Sequence, residues 1–173
     1  MDLGLKNKIV VITGAAGKKG SIGETLLREL VQEGAIPAVI DRNDRGKTYI
    51  EEIRNSGVDA IFCKTDVTDP EAIRKSMTTI VEKYKQIDVV INNVGVNDGA
   101  GLDASYEQFM NSLKLNMVSY FLVVKHALPY LKKSRGPILN IGSKVALTGQ
   151  GGTSGYAASK GGVLGLTREW SVD

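Results

Sequence analysis

The chain is short of several residue types, and each shortage excludes a class of protein. One cysteine, Cys63, excludes a framework of internal disulfides. With His126 as the only histidine and no Cys or carboxylate cluster at ligand spacing, no metal site is predicted. No run reaches the roughly 18 apolar residues that a membrane span requires, and residues 1–8 lack the pattern of a signal peptide. We therefore expect a cytoplasmic protein with no membrane partner.

The composition is that of an ordinary globular domain. Hydrophobic residues make up 42% of the 173 residues and charged residues 24%, which is enough apolar material for one core. We see no linker or repeat, so residues 1–173 are predicted to form a single domain. The 22 basic and 19 acidic residues give a net charge of +3 and are spread along the chain. No nucleic-acid partner is predicted from this distribution.

Apolar runs of strand length alternate with segments of helical spacing. Strands are predicted near residues 9–12, 36–40, 60–62, 87–91 and 136–141, and helices near 24–33, 45–55, 70–84, 106–131 and from about 155. Strands with so little polar alternation need cover on both faces, which alternating helices supply. The pattern predicts an α/β fold with a Rossmann-type, doubly wound parallel sheet.

A glycine-rich turn follows the first strand and opens the first helix. Glycines allow tight turning and close backbone approach, and the amides of a helix N-terminus favour an anion. Glycines also punctuate plain turns, but the strand-turn-helix context favours a site for the pyrophosphate of a dinucleotide. We assign to this site Gly14, Gly17, Lys19, Gly20, Ser21, Ile22 and Gly23.

Asp41 closes the second predicted strand, where a carboxylate can accept hydrogen bonds from both hydroxyls of an adenine ribose. The same carboxylate would repel a 2′-phosphate, which favours NAD over NADP. Arg42, Lys18 and Lys19 carry charges that could reach such a phosphate, so NADP stays open. A helix cap or a solvated turn is the alternative interpretation of Asp41.

A polar triplet follows the fifth predicted strand. Ser143 comes directly after it, and Tyr156 and Lys160 lie four residues apart, a spacing that puts both on one face of a helix. A protonated lysine beside a tyrosine favours the phenolate, which can accept an alcohol proton near neutral pH. A Tyr-Lys pair at this spacing is usually a solvated pair on a helix surface. It indicates a catalytic site here only because it follows the fifth strand of a predicted nucleotide-binding sheet.

The order of these motifs resembles that of the short-chain dehydrogenase/reductase family over the whole chain. The residues that carry the resemblance are Thr13-Gly14, Asp66, Asn92-Asn93-Val94-Gly95, Asn116, Ser143, Tyr156 and Lys160. The resemblance implies that Tyr156 is the acid/base and that Ser143 orients the substrate oxygen. Lys160 would favour the ionised tyrosine and hold the nicotinamide ribose, and Asn116 would support a proton relay through a water.

The same resemblance implies further cofactor contacts. Asp66 with Val67 would contact the adenine, and Asn92, Asn93 and Gly95 would line the cofactor groove. In the family the long helix and the last helix commonly pack between subunits, which implies a homodimer or homotetramer.

A finer similarity is to bacterial L-fucose dehydrogenase-like sugar dehydrogenases. It rests on residues 97–103, 148–156 and 167–170 and on the opening residues 1–6. It implies a secondary alcohol or a sugar lactol, L-fucose-like, as substrate. Asn97, Asp98 and Gln150 are our substrate candidates beside Ser143 and Tyr156; the alternative is that they only shape loops.

Two departures from the family pattern stand out. The turn between Gly14 and Gly23 is three residues longer than usual, and Asp173 is expected to fall inside the sixth helix, before the family's last strands. We therefore expect a fragment of a longer protein or a truncated product. Two functions stay open: an NAD-linked enzyme, or a non-catalytic module that binds nucleotide or forms a dimer.

Overall fold

The computed structural model describes residues 3–173 and contains the predicted alternation of strands and helices. Met1 and Asp2, part of the resemblance at residues 1–6, lie outside the described residues. The strands are Ile9–Thr13 (β1), Ile36–Asp41 (β2), Ile61–Lys64 (β3), Val89–Asn92 (β4) and Ile138–Asn140 (β5). The helices are Ile22–Gln32 (α1), Arg45–Asn55 (α2), Pro70–Tyr84 (α3), Tyr106–Leu113 (α4), Ser119–Ser134 (α5), Val145–Thr148 (α6) and Ser154–Glu169 (α7).

The five strands form one parallel sheet in the order β3-β2-β1-β4-β5, which confirms the doubly wound prediction. Alternate residues of β1 enter different apolar clusters. Val11 packs in a cluster with residues of α3 and α5, whereas Val10 and Ile12 pack in a second cluster with residues of α1. Because both faces are covered, the strand sequence shows no polar alternation.

The N-terminus of α3 is capped by Asp69. Asp69 accepts hydrogen bonds from the amides of Glu71 and Ala72, and Pro70 occupies the first helical position, where its missing N–H costs nothing. Gly34 and Gly57 follow α1 and α2 with positive φ angles of 75° and 89°. These angles are readily adopted only by glycine, which is why the two helices end there.

The structure differs from the prediction at three elements. The helix predicted over 106–131 is interrupted by a π-helical turn at Lys114–Val118 and runs on to Ser134. The short helix α6 was not predicted. The last helix ends at Glu169, where Trp170 closes it, so the expectation that Asp173 falls inside a helix is wrong.

The sheet has an edge at β5. Within residues 3–173, β5 pairs only with β4, and its residues are partly exposed. It spans Ile138–Asn140 and is shorter than the predicted 136–141. In the same described range, no helix is both long and apolar enough to cross a membrane.

Candidate active site

An open groove of about 530 Å³ lies where the carboxyl ends of the strands meet the start of α1 and the side of α7. Ligands bind at this edge in open parallel sheets. Of the residues predicted from the sequence, the groove is lined by Gly14, Gly17, Ser21, Ile22, Gly23, Asp41, Arg42, Asp66, Val67, Asn93, Gly95, Ser143, Tyr156 and Lys160. The remaining lining residues are Thr65, Val94, Val96, Leu115, Ile141 and Gly142.

Two glycines of the turn have no room for a side chain. A Cβ at Gly23 would lie 2.2 Å from the carbonyl oxygen of Gly14, and a Cβ at Gly14 would lie 2.9 Å from Cα of Val94. Gly14 also has a φ angle of 70°. The backbone of the turn therefore lies directly against α1 and against the loop that follows β4 (residues 93–105, the β4 loop). This is the close approach that a pyrophosphate site needs.

The lengthened part of the turn folds onto the protein beside the groove. Gly20 has a φ angle of 77°, and its amide donates to the buried carboxylate of Glu24 at 3.0 Å. Tyr49 on α2 donates to the carbonyl of Gly17 at 3.1 Å. Lys19 and Gly20, both predicted as cofactor residues, are exposed and do not line the groove, and neither does Lys18.

Asp41 links the end of β2 to the glycine-rich turn. Its Oδ2 accepts from the amide of Ala16 at 2.8 Å and its Oδ1 from the amide of Asn43 at 2.9 Å. A carboxylate offers about four lone-pair sites, so acceptor capacity remains for ribose hydroxyls.

Asp66 lies at the same end of the groove, after β3. Its Oδ1 accepts from the amide of Thr68 at 2.9 Å and from the hydroxyl of Thr68 at 2.7 Å. These two hydrogen bonds hold the pKa of Asp66 below its usual range. The carboxylate is therefore ionised and fixed in orientation beside the groove.

Lys160 is buried at the opposite end, with 1% of its surface exposed. Its Nζ donates to the carbonyl of Ile141 at 2.7 Å and to the hydroxyl of Tyr120 at 3.0 Å, and it lies 5.9 Å from the ring centroid of Tyr156. Within residues 3–173 it makes no ion pair with a carboxylate. Burial without a counter-charge lowers the pKa of Lys160 to about 8.

Asn116 lies in the π-helical turn and is fully buried. Its Oδ1 accepts from the amide of Val96 at 2.8 Å, and its Nδ2 donates to the carbonyls of Val96 and Ser112, both at 3.0 Å. A Cβ at Gly95, in the same loop, would lie 3.3 Å from Nζ of Lys160 and 3.5 Å from Oδ1 of Asn116. Asn116 thus holds the β4 loop beside the lysine, and π-helical turns are frequent at functional sites.

The three loop residues predicted to bind substrate are exposed and do not line the groove. Asn97 accepts from the amide of Gly99 at 3.3 Å, and Asp98 accepts from the hydroxyl of Ser112 at 2.6 Å. Gln150 lies in the loop before α7. Ser143 does face the groove, between β5 and α6.

Two residues that shape the site were given no role from the sequence, although Thr13 carries part of the family resemblance. Oγ1 of Thr13 accepts from the amides of Asn93 and Val94 at 3.0 and 3.2 Å, which fixes the β4 loop on β1. The hydroxyl of Tyr120 donates to the carbonyl of Val94 at 2.8 Å. Its position four residues after Asn116 on a helix is the signal that could have identified it.

The described residues, 3–173, hold no group of three or more His, Cys, Asp and Glu side chains arranged to bind a metal ion. The parallel sheet and the groove at its strand ends define an α/β protein of the Rossmann type. The family model described as short chain dehydrogenase matches residues 8–173, and the chain belongs to this family.

Individual relatives differ in what they are named for. L-fucose dehydrogenase of Oryctolagus cuniculus is 34% identical over 169 residues, which cover 96% of this chain and 57% of that protein. Meso-2,3-butanediol dehydrogenase of Serratia marcescens is also 34% identical, over 96% of this chain and 65% of its own. The crystal structure of Cj0485 dehydrogenase superposes with a TM-score of 0.92 at 36% identity, over 99% of this chain and 65% of its own. The chain spans 57% to 60% of the length of four L-fucose dehydrogenases that it matches.

Proposed function

We propose that the chain carries the cofactor-binding and proton-transfer parts of an NAD-dependent dehydrogenase that oxidises a secondary alcohol or a sugar lactol. The observation that carries this proposal is the buried ammonium of Lys160 beside Tyr156 at one end of a dinucleotide-sized groove. A buried ammonium without a carboxylate partner is costly to stability, and strongly perturbed groups in clefts mark candidate catalytic sites.

The roles of the three side chains follow from their chemistry. Tyr156 takes the proton of the substrate hydroxyl, and the positive charge of Lys160 stabilises the phenolate that this step needs. Ser143 hydrogen-bonds the substrate oxygen and orients it toward Tyr156. When bound, a nicotinamide supplies the carbon that accepts the hydride from the alcohol carbon. Asn116 keeps the β4 loop against Lys160.

The residues of the groove fit a dinucleotide, and NAD is the cofactor that we propose. Gly14 and Gly23 leave bare backbone at the N-terminus of α1, where pyrophosphate oxygens would accept amide hydrogens. Asp41 keeps free acceptor sites for the two ribose hydroxyls and would repel a 2′-phosphate. Arg42 also lines the groove and is the residue by which NADP would be accepted instead.

L-fucose and 2,3-butanediol, the compounds for which two of the relatives above are named, both contain secondary alcohols. A secondary alcohol is therefore the substrate class that we propose. L-fucose is our first candidate because four of the matched relatives are L-fucose dehydrogenases. Asn97, Asp98 and Gln150 stay candidates for sugar contacts only if their loops approach the groove when substrate binds.

The deciding experiment titrates the 173-residue chain with NADH and NADPH in a calorimeter and then assays NAD reduction with L-fucose and 2,3-butanediol. NADH should bind more tightly than NADPH. The Tyr156→Phe variant should bind NADH with unchanged affinity and lose turnover, whereas Tyr106→Phe, which changes an exposed tyrosine on α4, should match the parent.

Each other outcome contradicts part of the proposal. Turnover retained by Tyr156→Phe would remove that residue from the chemistry. Tighter binding of NADPH would assign the phosphate to Arg42, with Lys18 and Lys19 reaching over the groove. Binding without turnover would favour a non-catalytic nucleotide-binding module, and no binding at all would overturn the cofactor site.

A further inference from the structure

Tyr120 is a fully buried tyrosine of α5, with 1% of its surface exposed. Its hydroxyl has one proton, which it donates to the carbonyl of Val94 at 2.8 Å. The carbonyl of Ile141 lies farther away, at 3.3 Å, as a second acceptor for the same proton. The ammonium of Lys160 has no lone pair and can only donate. The 3.0 Å contact between them therefore has one polarity: Lys160 donates and Tyr120 accepts.

Two of the three N–H groups of Lys160 are thereby occupied inside the protein. One goes to the carbonyl of Ile141 at 2.7 Å and one to Tyr120, while the ring of Tyr120 lies 5.0 Å from Nζ. The third N–H is left for the groove, which Lys160 lines. A flexible lysine held at two points presents its remaining donor in one direction.

We propose that Tyr120 is a positioning residue of the site, whose hydroxyl holds the Lys160 ammonium in place beside Tyr156. The role in turnover rests on the dehydrogenase function proposed above, but the contact itself does not. Tyr120 also ties the β4 loop to α5 through Val94, so one hydroxyl joins α5, α7 and the loop that borders the cofactor groove.

Few other groups lie close enough to the Lys160 ammonium to affect its pKa. From α5 it faces the phenol of Tyr120, and from α7 the phenol of Tyr156. The end of β5 contributes the Ile141 carbonyl, the β4 loop contributes the backbone at Gly95, and the π-helical turn contributes the neutral amide of Asn116. Within residues 3–173 no carboxylate pairs with Nζ, so loss of the Tyr120 hydroxyl has no nearby charge to replace it.

The test is the pKa of Lys160 in the chain without cofactor, followed by NMR of ¹³Cε-labelled lysine and assigned by the signal missing in Lys160→Met. Tyr120→Phe keeps the ring and removes the acceptor. Loss of this hydrogen bond destabilises the charged form of Lys160. From the usual strength of a hydrogen bond to a charged group, the pKa of Lys160 should fall by about one unit. Tyr84→Phe is the matched control, because it removes a buried tyrosyl hydroxyl from α3, outside the groove lining.

An unchanged pKa of Lys160 in a folded Tyr120→Phe variant would overturn the proposal, as would an equal fall in Tyr84→Phe. This readout needs neither cofactor nor turnover. An inactive chain would therefore contradict the proposed function, but the role of Tyr120 could still be tested by the pKa of Lys160.

If Tyr120→Phe does not fold, the double variant Tyr120→Phe, Lys160→Met decides the question. Under the proposal the damage comes from an under-bonded buried ammonium, so removing the ammonium as well should restore the folded circular dichroism spectrum. A double variant that is also unfolded would overturn the proposal, because the hydroxyl would then be needed for its bonds to the carbonyls of Val94 and Ile141 and not for the lysine.

Turnover provides a second readout. A fall of about one unit in the pKa of Lys160 would reduce its charged fraction at pH 7.5 about threefold. The alkaline limb of kcat/KM should therefore move about one pH unit downward in Tyr120→Phe, with activity recovered at lower pH. A uniform loss at every pH would contradict a role through the lysine charge.

Discussion

The carboxylate of Asp41, at the end of β2, accepts a hydrogen bond of 2.8 Å from the backbone amide of Ala16 in the glycine-rich turn. The residue expected to recognise a ribose therefore also holds the turn against the strand. This coupling means that a substitution at position 41 must preserve the contact to the turn if it is to report on the cofactor alone.

Asp41→Asn should change cofactor preference. The amide oxygen can still accept from Ala16, but the side-chain NH2 that replaces the other oxygen cannot accept from Asn43. The charge that repels a 2′-phosphate is also lost, together with one acceptor for the ribose. From the worth of a hydrogen bond to a charged group, NADH should bind about 10-fold more weakly and NADPH more tightly than to the parent. Calorimetric titration with both nucleotides measures this.

Asp44→Asn is the control for Asp41→Asn. Asp44 is an exposed aspartate three residues along the chain that pairs with Lys47 and Lys64 and does not line the groove. If both variants shift the ratio of NADH to NADPH affinity equally, the effect is one of net charge and Asp41 has no special role.

Much of the fold could be predicted because buried parallel strands have a strong sequence signature. Ile9 to Ile12 form an apolar run of strand length that is followed by a glycine-rich turn, as is typical of a strand in a sheet covered on both faces. Once the strands are placed, Asp41 and Ser143 are brought to one edge by topology, since all parallel strands end there.

Other features depended on contacts that could not be predicted from the sequence pattern. Lys19 was expected at the cofactor, but the positive φ of Gly20 and its bond to Glu24 fold the turn away from the groove. The π-helical turn at Asn116 has no Gly or Pro to mark it and is stabilised by bonds to Val96. Substrate contacts by Asn97 or Gln150 stay a prediction.

Gly23→Ala should disturb the turn, whereas Gly165→Ala should stabilise the chain. An added Cβ at position 23 meets the Gly14 carbonyl at 2.2 Å and Nδ2 of Asn93 at 2.5 Å, while at position 165 it meets nothing within 4 Å. Overpacking of this kind costs about 1–3 kcal/mol of unfolding free energy, and removal of an exposed helical glycine contributes about 0.5–1 kcal/mol.

Urea unfolding of Gly23→Ala, Gly165→Ala and the parent, with NADH titration of each, measures both effects. Gly23→Ala should lose stability and NADH affinity together, because the clash displaces the backbone that faces the pyrophosphate. Equal stabilities for the two variants would mean that the turn has room to yield and that its glycines are not required by packing.

Cys63 should be unreactive in the native chain. It is buried on β3 in the core between the sheet and α3, and burial raises the pKa of its thiol to about 11. Relative to the ordinary value of 9.0, this lowers the thiolate fraction at neutral pH by about 100-fold.

Mass spectrometry after iodoacetamide treatment tests this cleanly, since Cys63 is the only cysteine. The urea-unfolded chain should take up one adduct within the time in which the native chain stays unmodified. Native labelling at the rate of the unfolded chain would place the thiol at the surface and contradict the packing of β3.

Lys160 should give the chain a stability that rises with pH. In the unfolded chain the amine ionises near its ordinary pKa of 10.5, and in the folded chain near 8. Below about pH 8 both states are protonated, and the buried charge lowers stability. Between about 8 and 10.5 the unfolded chain binds the extra proton, so the unfolding free energy increases with pH.

The size of this increase, from the difference between the two pKa values, is on the order of 3 kcal/mol. Urea unfolding of the parent and Lys160→Met between pH 7.5 and 10.5 isolates it, because other titrating groups cancel in the difference. Lys132→Met, which removes an exposed lysine of α5, should follow the slope of the parent. A parent that shows no gain over Lys160→Met would mean that the ammonium is solvated, and the lysine would then lose the electrostatic influence on Tyr156 on which the proposed chemistry depends.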